Sequence, residues 1–101
     1  MQYTYLYPGH PRWGEFADKI EGPEGCNFRP HPHPTKRRRY TWTCDSSPDR
    51  PITRRILHGM GFDPTFIQNT MIFLHGHGGY CDCEVVMNVV QEYPSQREAR
   101  Q

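Results

Sequence analysis

Apolar residues recur every three or four positions in three parts of the chain, and each part predicts a short amphipathic helix. The first spans residues 11–20, where Pro11 suits the first helical turn because its missing N–H would have no partner there. The third follows Asp63 and Pro64, an N-cap residue and a first-turn proline, and ends near His75. The residues predicted to face the core in the three helices are Trp13, Phe16, Ala17 and Ile20; Ile52, Ile56, Leu57 and Met60; and Phe66, Ile67, Thr70, Met71 and Leu74.

Alternation near the N-terminus predicts an extended segment. Over residues 2–7, Tyr3, Tyr5 and Tyr7 fall on one face of a possible strand. Two interpretations follow, an edge strand that covers the core and a tyrosine surface that binds a partner.

A second alternating region predicts a β-hairpin with arms over residues 26–29 and 40–44. The connecting loop, residues 30–39, should be exposed, because its alternating prolines cannot form ladder hydrogen bonds and its cations repel one another. Antiparallel pairing in this hairpin puts two pairs opposite each other, Phe28 with Trp42 and Cys26 with Cys44.

The last apolar segment, residues 84–93, leaves helix and strand both open. Its spacing is helical, but valine is a poor helix former and favours strands. The pattern as a whole predicts a small α+β domain over residues 1–93, with a short hairpin packed against three or four short helices. Residues 94–101 should form a flexible tail, since their only apolar residue is Ala99.

The composition indicates that the fold needs a stabiliser besides its hydrophobic core. The chain has 101 residues, of which 35% are hydrophobic, so its core is small and a metal, disulfides or a partner should support it. No apolar run reaches the roughly 18 residues of a membrane span, so we expect no membrane partner. The first residues lack the pattern of a secretory signal, which favours a cytoplasmic location.

Four cysteines are the candidate stabilisers, and a zinc site is the leading interpretation because disulfides are rare in the cytosol. Disulfides and unliganded thiols remain the alternatives. A mixed site could use His75 or His77 in place of a cysteine. The predicted ligands are Cys26, Cys44, Cys81 and Cys83.

Residues 78–89, with the sequence GGYCDCEVVMNV, resemble a bacterial family called domain of unknown function 2695. The family's signature is a Gly-Gly-Tyr-Cys-Asp-Cys-Glu stretch that ends in Asn-Val, and weaker likenesses extend the match over about residues 13–90. The basic loop 30–39 and the tyrosine-rich N-terminus depart from the family pattern. The resemblance implies no activity. It implies that the four cysteines belong to a shared framework.

The candidate binding residues point to a macromolecular partner. No nucleophile elbow, phosphate loop or pair of catalytic carboxylates is recognisable, so we expect a binding module and not an enzyme. We expect the partner to be a protein, and nucleic acid is the second expectation. Two other roles are kept as alternatives: a phage-type inhibitor of a host protein, and a thiol-dependent enzyme or redox protein. The contact residues predicted for these partners are Tyr3, Tyr5, Lys36, Arg37, Arg38 and Arg39.

Overall fold

Four helices and one short hairpin make up the part of the chain that the computed structural model describes, residues 3–36, 40–43 and 47–92. The helices are α1 (Trp13–Glu21), α2 (Pro51–Gly59), α3 (Pro64–Gly76) and α4 (Asp82–Glu84), which continues as a π-helical segment, Val85–Val90. The hairpin pairs β1 (Arg29–Pro30) with β2 (Tyr40–Thr41). The predicted α+β class is confirmed. None of the described helices is long and apolar enough to cross a membrane.

Local signals placed the first three helices well. The Asp63 side chain accepts a hydrogen bond from the Phe66 amide at 2.8 Å, as expected of an N-cap that precedes a first-turn proline. Helix α1 begins at Trp13, two residues later than predicted, and its predicted apolar stripe is buried throughout. In α3, Phe66 is only half-buried, whereas Ile67, Thr70, Met71 and Leu74 are buried.

The valine-rich segment is helical and not a strand. The Gln91 amide donates to the Val86 carbonyl at 2.8 Å, the five-residue step of a π-helix. This wider turn brings four valines to the interior, Val85, Val86, Val89 and Val90. Residue 93, the end of the predicted segment, lies outside the described residues, as do residues 94–101 of the predicted tail.

The core lies between α1, α2, α3 and the π-helical segment. Trp13 and Phe16 of α1 are its largest members, and their rings lie 5.4 Å apart between centroids. Helix α1 contacts both α2 and the π-helical segment, and α2 contacts α3 and α4. Helix α2 therefore touches every other helix, which makes its position central to the fold.

The predicted N-terminal strand is not formed in the described residues 3–7. The backbone there is held by α3 instead of by a neighbouring strand: the Leu6 amide donates to the Thr70 hydroxyl at 2.8 Å, and the Asn69 side chain donates to the Thr4 carbonyl at 3.0 Å. These contacts with helical side chains satisfy the polar groups that a sheet would otherwise pair. Within this segment, the Leu6 side chain is fully buried.

Candidate functional site

The hairpin has the predicted register. Arg29 lies opposite Thr41 and Pro30 opposite Tyr40. The same register places Phe28 opposite Trp42. Their rings stack with 5.0 Å between centroids and an interplanar angle of 11°. Both arms are shorter than predicted, two paired residues each. The predicted pairing of Cys26 with Cys44 remains a prediction, because residues 44–46 lie outside the described part of the chain.

The base of the hairpin is fixed to the body of the protein. The Phe28 amide donates to the Glu21 carbonyl at 2.8 Å, at the end of α1, and the Thr43 amide donates to the Cys26 carbonyl at 2.7 Å. Phe28 also packs against the core, and Cys26 is fully buried within it. The stacked ring of Trp42 therefore rests on a support that is anchored in the core.

The outer side of the hairpin is aromatic and basic. Tyr40 is 57% exposed and Trp42 is 40% exposed. Five of the chain's 12 basic residues and none of its 11 acidic residues lie between residues 28 and 43. Arg29 and Lys36 are exposed, and the predicted contact residues Arg37, Arg38 and Arg39 lie outside the described residues. This segment therefore carries a formal charge of +5, whereas the formal net charge of the whole chain is +1.

Cys81 and Cys83 form a close pair of sulfurs. Their Sγ atoms lie 3.2 Å apart, well beyond the length of a disulfide bond, and both side chains are buried. Among the described residues, no group of three or more His, Cys, Asp or Glu side chains could hold a metal ion. Because Cys44 is not described, the predicted quartet of cysteines remains a prediction.

Asp82, between the two cysteines, turns toward α2. Its Oδ1 atom accepts from the Thr53 amide at 2.9 Å and from the Thr53 hydroxyl at 2.7 Å, and Oδ2 accepts from the Ile52 amide at 3.2 Å. The residue at the N-cap position of α2, Arg50, makes no side-chain cap. The fully buried Asp82 carboxylate therefore satisfies the first amides of α2 from 29 or 30 residues away in the sequence.

Arg50 is a second buried charge that the sequence pattern did not reveal. Its Nη1 donates to the Met71 carbonyl at 3.0 Å and to the Gly79 carbonyl at 3.1 Å. Burial lowers the pKa of Arg50, and the charge of Arg54 lowers it further, whereas the Asp82 carboxylate acts in the opposite direction. The signal that sequence reasoning could have used is the missing cap: Pro51 begins a helix, but an arginine precedes it.

The two histidines predicted as possible substitute ligands make aromatic contacts, and their role as metal ligands stays a prediction. The His75 ring lies 4.8 Å from the Tyr80 ring, edge to face, and the His77 ring lies 4.5 Å from the Phe73 ring. Both histidines are exposed.

The tyrosine surface is half-buried and lies beside α3. The Tyr5 ring is 5.1 Å from the Tyr7 ring and 5.4 Å from the Phe73 ring, and Tyr3 packs against His10 at 4.5 Å. A groove runs beside these contacts, and Ile72, which is 61% exposed, forms part of its wall. The groove is lined by Thr4, Tyr5, Asn69, Ile72 and Phe73.

Comparison with known proteins gives one match. A family model described as "Protein of unknown function (DUF2695)" matches residues 36–88, slightly more than half of the chain. The matched part contains α2, α3 and the Cys81–Cys83 pair, whereas Cys26 and the tyrosine surface precede it. No curated protein and no solved structure matches the chain.

Proposed function

We propose that this chain, which belongs to the DUF2695 family of proteins of unknown function, is a binding module that contacts single-stranded nucleic acid through its hairpin. The observation that carries the proposal is the anchored Phe28–Trp42 stack, with its exposed tryptophan, inside the most basic segment of the chain. Surfaces that bind single strands combine two elements, exposed aromatic rings and neighbouring cations.

The charge distribution supports a polyanionic ligand. The segment from residue 28 to residue 43 holds five cations and no carboxylate, so the phosphates of a bound strand would meet no repulsion within it. Cations that neutralise phosphates release counterions, and this release makes affinity fall with salt. The remainder of the chain has more acidic than basic residues, which would direct a polyanion to the hairpin.

The aromatic residues favour a single strand over a duplex. Trp42 uses one side of its ring to stack on Phe28, and its remaining exposed surface, together with Tyr40, is available to unstacked bases. Bases inside a duplex already stack on each other and cannot reach such rings. The hydrogen bonds from Phe28 to Glu21 and from Thr43 to Cys26 support the proposal, because they should hold the platform in one orientation when a ligand binds.

The test is fluorescence anisotropy with a labelled single-stranded oligonucleotide of mixed sequence, titrated at several salt concentrations. With up to five phosphate contacts, log K should fall with log salt with a slope of up to about −3.5. Replacement of Trp42 by alanine should weaken binding by about 5- to 150-fold, the loss of one stacked base. Replacement of Arg37, Arg38 and Arg39 by alanine should reduce the slope by about 2.

Tyr80→Ala is the matched control, because Tyr80 is 51% exposed but lies outside the hairpin. It should retain wild-type affinity. Equal effects of Trp42→Ala and Tyr80→Ala, or the absence of saturable binding at low salt, would contradict the proposal. Equally tight binding of polyglutamate, with no effect of Trp42→Ala, would identify the hairpin as a site for an acidic protein instead.

A second candidate function is protein binding at the groove beside α3. The observation in its favour is Ile72, an aliphatic side chain that is 61% exposed at the edge of an aromatic groove. We propose that the groove takes an apolar side chain of an extended protein segment. Peptides selected from a random library against the full chain should share an apolar anchor and lose affinity for an Ile72→Asp variant; equal binding to both would exclude the groove.

A further inference from the structure

The Cys81–Cys83 pair holds two thiols at reacting distance. The two Sγ atoms lie 3.2 Å apart although a residue separates them. Cys81 has an extended backbone and α4 begins at the next residue, and this change of direction brings the two side chains together. Reacting atoms that are held about 3–3.5 Å apart need little further ordering, so a bond between them forms much faster than between free groups.

The residue between the cysteines fixes the backbone that carries them. The Asp82 carboxylate accepts three hydrogen bonds from Ile52 and Thr53 of α2, at 2.7 to 3.2 Å. The Asp82 side chain is fully buried, so these bonds are not exchanged for bonds to water. Because the segment is attached to a helix at its centre, the fold itself maintains the contact between the two sulfurs.

The pair is accessible to a small reagent. Cys81 is 7% exposed and Cys83 is 9% exposed, whereas Cys26 is fully buried in the core. Susceptibility of a thiol to oxidation follows its exposure as well as its ionisation, and hydrogen peroxide is among the smallest oxidants. We therefore expect peroxide to reach this pair before it reaches Cys26.

We propose that Cys81 and Cys83 are a site of reversible oxidation, at which hydrogen peroxide converts the two thiols into an intramolecular disulfide. This goes beyond the proposed binding function and does not depend on it. In the first step one sulfur attacks peroxide, the O–O bond breaks, and a sulfenic acid and one water are formed. In the second step the other thiol attacks the sulfenic sulfur, the S–O bond breaks, the S–S bond forms, and a second water leaves with the proton of that thiol. The two sulfurs together lose two electrons, and peroxide gains them.

The disulfide should be easy to reduce again. An S–S bond is about 2.05 Å long, so the sulfurs must approach by about 1.1 Å while the hydrogen bonds of Asp82 hold the backbone between them. The ring that closes contains one residue besides the two cysteines and is therefore strained. Strained disulfides are more reducible, and they are the labile and regulatory ones. A thiol reductant can thus return the pair to its reduced state by thiol–disulfide exchange.

The test is peptide mapping of the full chain, purified under reducing conditions and treated with an equimolar amount of hydrogen peroxide. Remaining thiols are alkylated in denaturant before digestion with trypsin. Both cysteines fall in one peptide, residues 56–97, because no Lys or Arg lies between Arg55 and Arg97. This peptide should escape alkylation at both thiols and weigh two hydrogen atoms less than its reduced form, and dithiothreitol should reverse the change. Cys26, in the peptide 20–36, is the internal control and should be alkylated.

Single variants separate the two chemical steps. Cys81→Ser and Cys83→Ser each retain one thiol of the pair, so the sulfenic acid lacks its neighbouring thiol and should accumulate. Dimedone, a carbon nucleophile that is selective for sulfenic acids, should label both variants and leave the wild type unlabelled. Met87→Leu is the matched control, because it removes a sulfur from the helical segment that follows and should behave as the wild type does.

The mapping of the wild type decides the matter even if a variant fails to fold. A disulfide that joins the peptide 56–97 to the peptide of Cys26 or of Cys44 would overturn the proposal. So would a pair that is still fully alkylated after treatment with excess peroxide, or a wild type that dimedone labels as strongly as the single variants.

Discussion

Replacement of Asp82 by alanine should lower the free energy of unfolding by about 3–5 kcal/mol. The carboxylate is fully buried and accepts three hydrogen bonds, so its removal leaves two amides and a hydroxyl at the start of α2 without their acceptor. It also removes a negative charge whose field favours the charged form of the buried Arg50 guanidinium. A domain of this size has a total stability of about 5–15 kcal/mol, so the variant should be close to unfolding.

Urea unfolding followed by circular dichroism measures this effect. Asp82→Asn should cost less than the alanine change, because an amide oxygen can still accept from Thr53 although the charge is lost. Asp49→Ala is the matched control, since Asp49 is exposed and lies close to the same helix end in sequence; it should change stability by less than about 0.5 kcal/mol. A loss below about 1 kcal/mol for Asp82→Ala would show that the carboxylate does not hold α2.

Replacement of Gly25 by alanine should cost about 2–3 kcal/mol. Gly25 is buried where the chain turns back onto the end of α1, and an added Cβ would lie 2.5 Å from the Ile20 Cα and 2.6 Å from its carbonyl carbon. These are backbone atoms of a helix, so no side chain can rotate away to relieve the overlap. The Cys26 amide, which donates to the Ile20 carbonyl at 2.7 Å, would move with it.

Gly59→Ala is the same type of substitution, but we expect it to stabilise the protein and not to destabilise it. A Cβ at Gly59 meets no atom within 4 Å, and the residue lies in the last turn of α2. Alanine there should stabilise the protein by about 0.4–1 kcal/mol through the unfolded state. Thermal melts of the two variants measured side by side check both values. If both substitutions changed the stability in the same direction, close packing would not explain why glycine is needed at position 25.

Features that depend on residues close together in the sequence could be predicted from it. Asp63 followed by Pro64 set the start of α3, and the spacing of Trp13, Phe16, Ala17 and Ile20 set the buried face of α1. The hairpin register was predictable too, because placing Phe28 opposite Trp42 brings two aromatic residues of the arms into one cross-strand pair.

Features that depend on distant partners could not be predicted. The pattern of Tyr3, Tyr5 and Tyr7 suits a strand, but the Thr70 hydroxyl and the Asn69 amide of α3 take the hydrogen bonds that a sheet would have formed. The partner of Asp82 could not be predicted either, since nothing near it in sequence identifies α2. For the candidate site, residue type suggested a cysteine cluster, but only the structure gave the 3.2 Å contact between Cys81 and Cys83.

Residues 81–83 take part in two sets of contacts, since the Cys81 and Cys83 sulfurs lie 3.2 Å apart and the Asp82 carboxylate accepts a hydrogen bond from Thr53 of α2. Any reagent that spreads the sulfurs therefore tilts the peptide groups that carry the carboxylate. We therefore expect the amide hydrogens of Ile52 and Thr53 to exchange with deuterium at a different rate after the reaction. Helix α2 should in this sense report a chemical change at either thiol.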